Sequence, residues 1–256
     1  MTSRLPRPKK RFGQHFLTDR HYLARIVEAI DAKRGDRMVE IGPGTGILTA
    51  ELAPRLERLH VVEIDRDLAA ALEGRFPNVV VHVADALDFD FTRLPQELRV
   101  VGNLPYNVST PILFRMAEIA PRLVDCVFLL QREVVERMVA DPGTPDYGRL
   151  SVMLQYRFAM ALALHVPAGA FTPPPKVESA LVRMRPLGAD RLGARDELLF
   201  ARIVAGAFSQ RRKTLRNAVK SFVDEDAFAR AGIDPQRRGE TLSVAEFVKL
   251  ADAAGP

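Results

Sequence analysis

The 256-residue chain carries 47% hydrophobic and 27% charged residues, a formal net charge of +5, one cysteine and no tryptophan. That balance excludes disordered and fibrous classes, and the length can bury a core in one large and one small domain. The lone Cys126 excludes a disulfide within the chain and a cysteine metal cluster, and no stretch approaches the roughly 18 apolar residues of a membrane span. The histidines show no ligand spacing, and the basic start runs into no apolar segment of the secretory type. A cytoplasmic, metal-free monomer is expected, and the positive charge favours an anionic partner.

Residues 1–11 carry Arg4, Arg7, Lys9, Lys10 and Arg11 with no acid, a basic arm. Leu23, Ile26, Val27 and Ile30 recur at helical spacing. Val39-Glu40-Ile41 reads as a strand breaking into a glycine turn at Gly42, Gly44 and Gly46, followed by a helical pattern. The strand Leu59 to Glu63 ends in a carboxylate, Val79 to Val83 delivers Asp85, and Arg99 to Gly102 runs out into Asn103-Leu104-Pro105-Tyr106. Cys126 lies in the apolar run Val124 to Leu130 and reads as a core residue. Strands alternating with helices to Leu130 predict a parallel sheet covered on both faces. A helix through Val134, Val135, Met138 and Val139 stops at Asp141-Pro142-Gly143. Residues 151–166 are ambiguous by period and read as a helix to about Arg157, then a strand to Val166, with which Ser179 to Arg185 should pair antiparallel. Pro186 to Asp190 reads as a linker. Beyond it Glu197–Phe208, Arg212–Phe222, Asp226–Arg230 and Val244–Ala253 read as helices of a small all-α domain. The expected domains are therefore 1–186 and 187–256.

The strand ends carry the chemistry. Gly42 and Gly44 let backbone approach a ligand, Glu63 is placed to accept both hydroxyls of a ribose, and Asp85 to receive an adenine amine. Two details argue against a dinucleotide: the spacing G-x-G-x-G differs from the pyrophosphate fingerprint, and Glu40 beside the loop would repel a pyrophosphate. At 103–106 an amide, a rigid proline and an aromatic ring suit the gripping of a flat, amine-bearing ring; a plain strand-to-turn junction is the simpler alternative. Arg211, Arg212 and Lys213 form a second acid-free basic cluster, either a solvated helix face or a surface for nucleic-acid phosphates.

Together these strand ends look like an S-adenosylmethionine-dependent methyltransferase acting on a base amine. Arg11 to Leu17, Glu40 to Gly46, Asn103 to Pro111, Phe171 to Ser179 and Phe208 to Asn217 all resemble the ribosomal RNA adenine dimethylases, most closely the small-subunit branch, over about residues 9–250. The resemblance implies a Rossmann-like seven-stranded class I methyltransferase sheet with a small all-α C-terminal domain that binds RNA or the ribosome. It implies Gln14, His15 and Leu17 as a lid over the cofactor and Phe171 as a second stacking ring beside Tyr106. It also implies dimethylation of N6 on two adjacent adenosines, in a hairpin loop near the 3′ end of 16S rRNA in the immature 30S particle. Hydrogen bonds from the amine to Asn103 and to a carbonyl of Leu104 or Pro105 would localise its lone pair toward the methyl donor, and alignment supplies ~7–11 kcal/mol of the barrier reduction. Three alternatives stand beside this: a large-subunit adenine methylase, a DNA adenine methylase, and an assembly checkpoint whose binding outweighs its catalysis.

Overall fold

The computed structural model describes residues 15–188, 193–210 and 212–255; the basic arm at 1–11, Gln14 and Arg211 lie outside the described residues. A short strand, β1 (Phe16–Leu17), leads into α1 (Arg20–Ile30). Asp19 caps α1 by accepting the backbone N–H of His21 at 2.8 Å and of Tyr22 at 3.2 Å. Leu23, Ile26, Val27 and Ile30 are its buried face, the stripe that the spacing predicts. Then follow β2 (Arg37–Ile41), α2 (Ile47–Leu52), β3 (Leu59–Glu63), α3 (Arg66–Leu72), β4 (Val79–Val83), β5 (Leu98–Asn103), α4 (Ser109–Glu118) and β6 (Leu123–Gln131). After these come α5 (Arg132–Val139), α6 (Arg149–Gln155), β7 (Phe158–Val166), β8 (Phe171–Thr172) and β9 (Ser179–Pro186).

The seven-stranded sheet runs β4-β3-β2-β5-β6-β9-β7, the α/β architecture expected, and β9 lies between β6 and β7. Strands β2 to β6 pair in parallel, whereas β9 runs antiparallel to β6. Burial on both faces explains why Met38, Val39, Val100 and Val101 are fully enclosed and why these strands read as continuous apolar runs. The chain builds outward from β2 in one direction through β3 and β4, then in the other through β5 and β6. That reversal opens a crevice at the carboxyl ends of β2 and β5. At the opposite edge, Arg99 of β5 donates to the Ile30 carbonyl at 2.6 Å and to both oxygens of Asp125 at 2.9 and 3.1 Å. Asp36 completes its shell, and Arg183 donates to Ala29, so two guanidiniums close the carbonyl end of α1. On β3 and β4, His60 Nδ1 and His82 Nε2 lie 3.0 Å apart, and burial holds both imidazoles below the usual histidine range.

The helical remainder consists of α7 (Glu197–Ser209), α8 (Leu215–Val219), α9 (Glu225–Ala231) and α10 (Val244–Ala254). Asp196 caps α7, and a Ser243–Glu246 capping box opens α10. The helix expected over Arg212–Phe222 is shorter. Its first-turn donors are taken from outside, Leu215 N by the Arg237 carbonyl at 2.7 Å and Arg216 N by Pro235 at 3.0 Å, and Lys213 N bonds Gln210. Arg212 and Lys213 therefore sit in a turn, not on a helix.

A single cut after residue 186 does not describe the division. The described residues up to Val135, with Met160–Pro186, form one unit; Glu136–Ala159 joins the residues from Leu187 onward in the other. The reason is packing: Tyr147, Val152 and Tyr156 share a core with Phe200, Ile203 and Phe247. Tyr156 Oη also accepts the Ala194 N–H at 3.1 Å and donates to Glu197 at 3.1 Å. Among the described residues no helix is long and apolar enough to cross a membrane.

Candidate active site

A cavity opens at the carboxyl ends of the parallel strands, and Gly42, Gly44, Glu63, Asp85, Asn103 and Tyr106 all line it. The glycine loop follows β2 because Gly42 and Gly44 adopt φ of 65° and 58°, a region that L side chains rarely enter. A Cβ on Gly44 would stand 3.1 Å from the Phe16 ring, so β1 packs directly on the loop. Gly102 has a different reason: a Cβ there would meet the Ile41 carbonyl at 2.5 Å, closing the gap between β2 and β5.

Glu63 is 4% exposed. One carboxylate oxygen accepts Gly44 N at 3.1 Å, and the other accepts Asp65 N at 2.9 Å. Burial raises its pKa, and backbone donors at Asp65, Gly44 and Ile64 partly offset this. The carboxylate is thus oriented at the cavity wall. Asp85 accepts the Leu87 N–H at 2.9 Å, which fixes it at the cavity wall. Glu40, marked in the sequence only as a group hostile to a pyrophosphate, is itself a wall residue, 2% exposed. Burial pushes its carboxyl up to about 7 against the 2.7 Å bond from Thr49 Oγ1, and the nearby Glu63 charge adds to the rise.

The Asn103–Tyr106 segment is held from several directions. Asn103 Nδ2 donates to the His15 carbonyl at 3.1 Å, which fixes which side of the amide carries the acceptor oxygen. Leu104 is buried, its N–H donating to Leu129 at 3.1 Å, while the Pro105 carbonyl accepts Val108 N at 3.2 Å. Of the two candidate carbonyls, that of Pro105 is therefore already engaged in a turn. Tyr106 stacks on the His15 imidazole with centroids 5.6 Å apart and planes at 27°, and His15 Nδ1 lies 2.8 Å from the Pro173 carbonyl. Leu17 also lines the cavity, and β1 pairs with β8, so this strand is tied to the start of the proline-rich segment.

Phe171 is the exception. It is 3% exposed, packed with Leu17, Leu23 and Ile26 in the core and paired with Leu17 across β1–β8, so it presents no ring to the cavity. An aromatic beside a proline run carries no sign in the sequence of which way it faces. Arg212 and Lys213 are exposed in the helical unit. Ser179, whose hydroxyl lies 2.7 Å from Tyr106 Oη, reads in the sequence as the start of a strand and the end of a family motif, with no role of its own. No local signal marks such a partner.

The family model described as "Ribosomal RNA adenine dimethylase" matches residues 6–254. The "Ribosomal RNA small subunit methyltransferase A" of Aromatoleum aromaticum is 56% identical over 246 residues, covering 95% of this chain and 93% of the relative. The protein of the same description from Laribacter hongkongensis is 57% identical over 252 residues, covering 97% and 96%. Among solved structures, a dimethyladenosine transferase from Plasmodium falciparum superposes with a TM-score of 0.78 at 25% identity, over 92% of this chain and 96% of that one. The 23S rRNA methyltransferase ErmE gives 0.71 at 27% identity, over 93% and 98%.

Proposed function

This chain belongs to the ribosomal RNA adenine dimethylase family, and from that membership we propose that it uses S-adenosylmethionine to dimethylate N6 of two adjacent adenosines in a hairpin loop near the 3′ end of 16S rRNA, within the immature 30S particle. The observation that carries the reading is the convergence of Glu63, Asp85, Asn103 and Tyr106 on one cavity at the sheet's switch point. The small-subunit target is supported by relatives at 56% and 57% identity, against 27% for the structure described as a 23S methyltransferase.

The donor set fits such a cofactor. Glu63 and Asp85 offer acceptors for a ribose diol and an adenine amine, Leu17 and Leu104 offer apolar wall, and Glu40 offers negative charge toward a cation. The bound cofactor supplies a methyl group activated on a sulfonium. The chain's own residues do the rest by position. Asn103 Oδ1 accepts one amine hydrogen and the Leu104 carbonyl the other, which pyramidalises the nitrogen and frees its lone pair. Tyr106 stacks against the extruded base, offsetting the few kcal/mol of unstacking with ~1–3 kcal/mol. The methylated ammonium is acidic and sheds its proton to water, so no dedicated base is needed. Arg212 and Lys213 contact RNA phosphates, which position the substrate without reading its sequence.

Tritium-methyl transfer to 30S particles, naked 16S RNA, 50S particles and DNA in parallel tests the reading. Incorporation into 30S material, resolving as dimethyladenine, is the expected result; incorporation confined to 50S or DNA would overturn it.

A further inference from the structure

We propose that Ser179 is a positioning residue for methyl transfer, its hydroxyl holding the far end of the Tyr106 ring and so setting the plane on which the target base is presented. This rests on the reading of Tyr106 as the stacking surface.

Tyr106 Oη and Ser179 Oγ lie 2.7 Å apart across 73 residues of sequence. Ser179 is fully buried and opens β9, opposite Gln131 of β6 in the antiparallel register. Its backbone is fixed by the sheet, and Arg132 N, bonded to the Glu178 carbonyl at 2.9 Å, secures the residue before it. Tyr106 is anchored differently. Its backbone sits in the turn after Pro105, with its carbonyl accepting Ser109 Oγ at 3.1 Å, but its ring is partly exposed at the cavity and stacked on His15. A stacked neighbour lets a ring slide and tilt, whereas a hydrogen bond at the phenol oxygen fixes where the ring ends. Burial pushes the Tyr106 phenol above its usual range, so it remains a neutral hydroxyl able to keep that bond.

Ser179 does not line the cavity, so it acts through Tyr106 rather than on base or cofactor. A small displacement is enough to matter: near-attack alignment is lost over about 1 Å, at up to about a hundredfold in rate. The second transfer is the more sensitive of the two. A monomethylated amine must be presented again with its one remaining hydrogen on an acceptor and its lone pair turned toward the methyl donor, on the same ring surface.

The test uses Ser179→Ala, Tyr106→Phe, the double variant, Ser179→Thr and Tyr106→Ala in the full chain, with 30S particles as substrate. Removing one hydrogen bond should lower kcat about two- to tenfold in Ser179→Ala, leave KM for the particle unchanged, and raise the share of monomethyladenine. Tyr106→Phe should match it, the double variant should be no worse than either, and Ser179→Thr should restore rate and product ratio. Rates are taken per folded enzyme, counted by titration with the cofactor, so a variant that merely unfolds moves neither the product ratio nor the double-variant comparison. Wild-type rate and ratio in Ser179→Ala, or defects that multiply in the double variant, would overturn the proposal. Wild-type turnover by Tyr106→Ala would overturn the stacking reading beneath it, and the proposal with it.

Discussion

Glu40 offers the sharpest test of how the cavity is built. Its carboxyl is held near 7 instead of an ordinary 4.5, burial being the chief cause. At ~1.4 kcal/mol per pKa unit, the ionised form costs the folded protein about 3 kcal/mol. The sign follows from the raised value. Below about pH 4.5 the group is protonated in folded and unfolded chains alike, and its favourable neutral state is fully present. Between 4.5 and 7 the unfolded chain ionises first and that stability is lost; above 7 the loss is complete. Glu40→Gln keeps an oxygen for Thr49 but cannot ionise. The stability difference between variant and wild type should therefore climb by about 3 kcal/mol in the variant's favour from pH 4.5 to pH 8, whatever constant offset the buried amide N–H adds. Urea denaturation followed by circular dichroism across that range measures it. Wild type should also release a proton on taking up the cationic cofactor near pH 7, visible as buffer-dependent binding enthalpy, and Glu40→Gln should not. Parallel stability curves for the two proteins would refute the reasoning, since they would mean that Glu40 titrates as an ordinary exposed carboxyl.

Asn103→Ala should lower methyl transfer by orders of magnitude with RNA affinity little changed. Asn103→Asp should be impaired, because it turns a carboxylate toward the His15 carbonyl that now accepts the amide N–H, and any activity it keeps assigns the acceptor oxygen to the substrate; wild-type rates for Asn103→Ala would reduce the segment to a turn. Glu63→Ala should weaken cofactor binding about ten- to a hundredfold by calorimetry, since a charged acceptor is worth ~1.5–3 kcal/mol. Replacing Arg212 and Lys213 by alanine should flatten the dependence of log RNA affinity on log salt by up to about 0.7–0.9 for each phosphate no longer neutralised, with cofactor affinity unmoved. Asp125→Ala leaves the Arg99 guanidinium, its side chain 10% exposed, without its bidentate partner but still paired with Asp36, and should cost about 1.5–3 kcal/mol in denaturant unfolding.

Much of the candidate site was legible in the sequence because its parts are local. Gly42, Gly44, Glu63, Asp85 and Asn103 each sit at a strand end marked by an apolar run breaking into turn chemistry, and parallel pairing brings those ends to one edge. The start of α8 and the grouping of residues 136–159 were not legible, because they depend on which distant carbonyls and aromatic rings compete for the same segment.

The sequence by itself determined the alternation of strands and helices, the loop that needs positive φ, and the family, since periodicity, glycine geometry and motif order are properties of neighbouring positions. The tertiary structure alone decided that Asn103 donates to His15 across 88 residues, that Tyr106 meets Ser179, that Phe171 turns inward, and that Glu40 is buried deeply enough to hold a proton near neutrality. Each of those depends on a partner or a dielectric supplied by another part of the chain. A desolvated carboxyl and a hydrogen-bonded phenol have the same sequence as their solvated counterparts, and only packing distinguishes them.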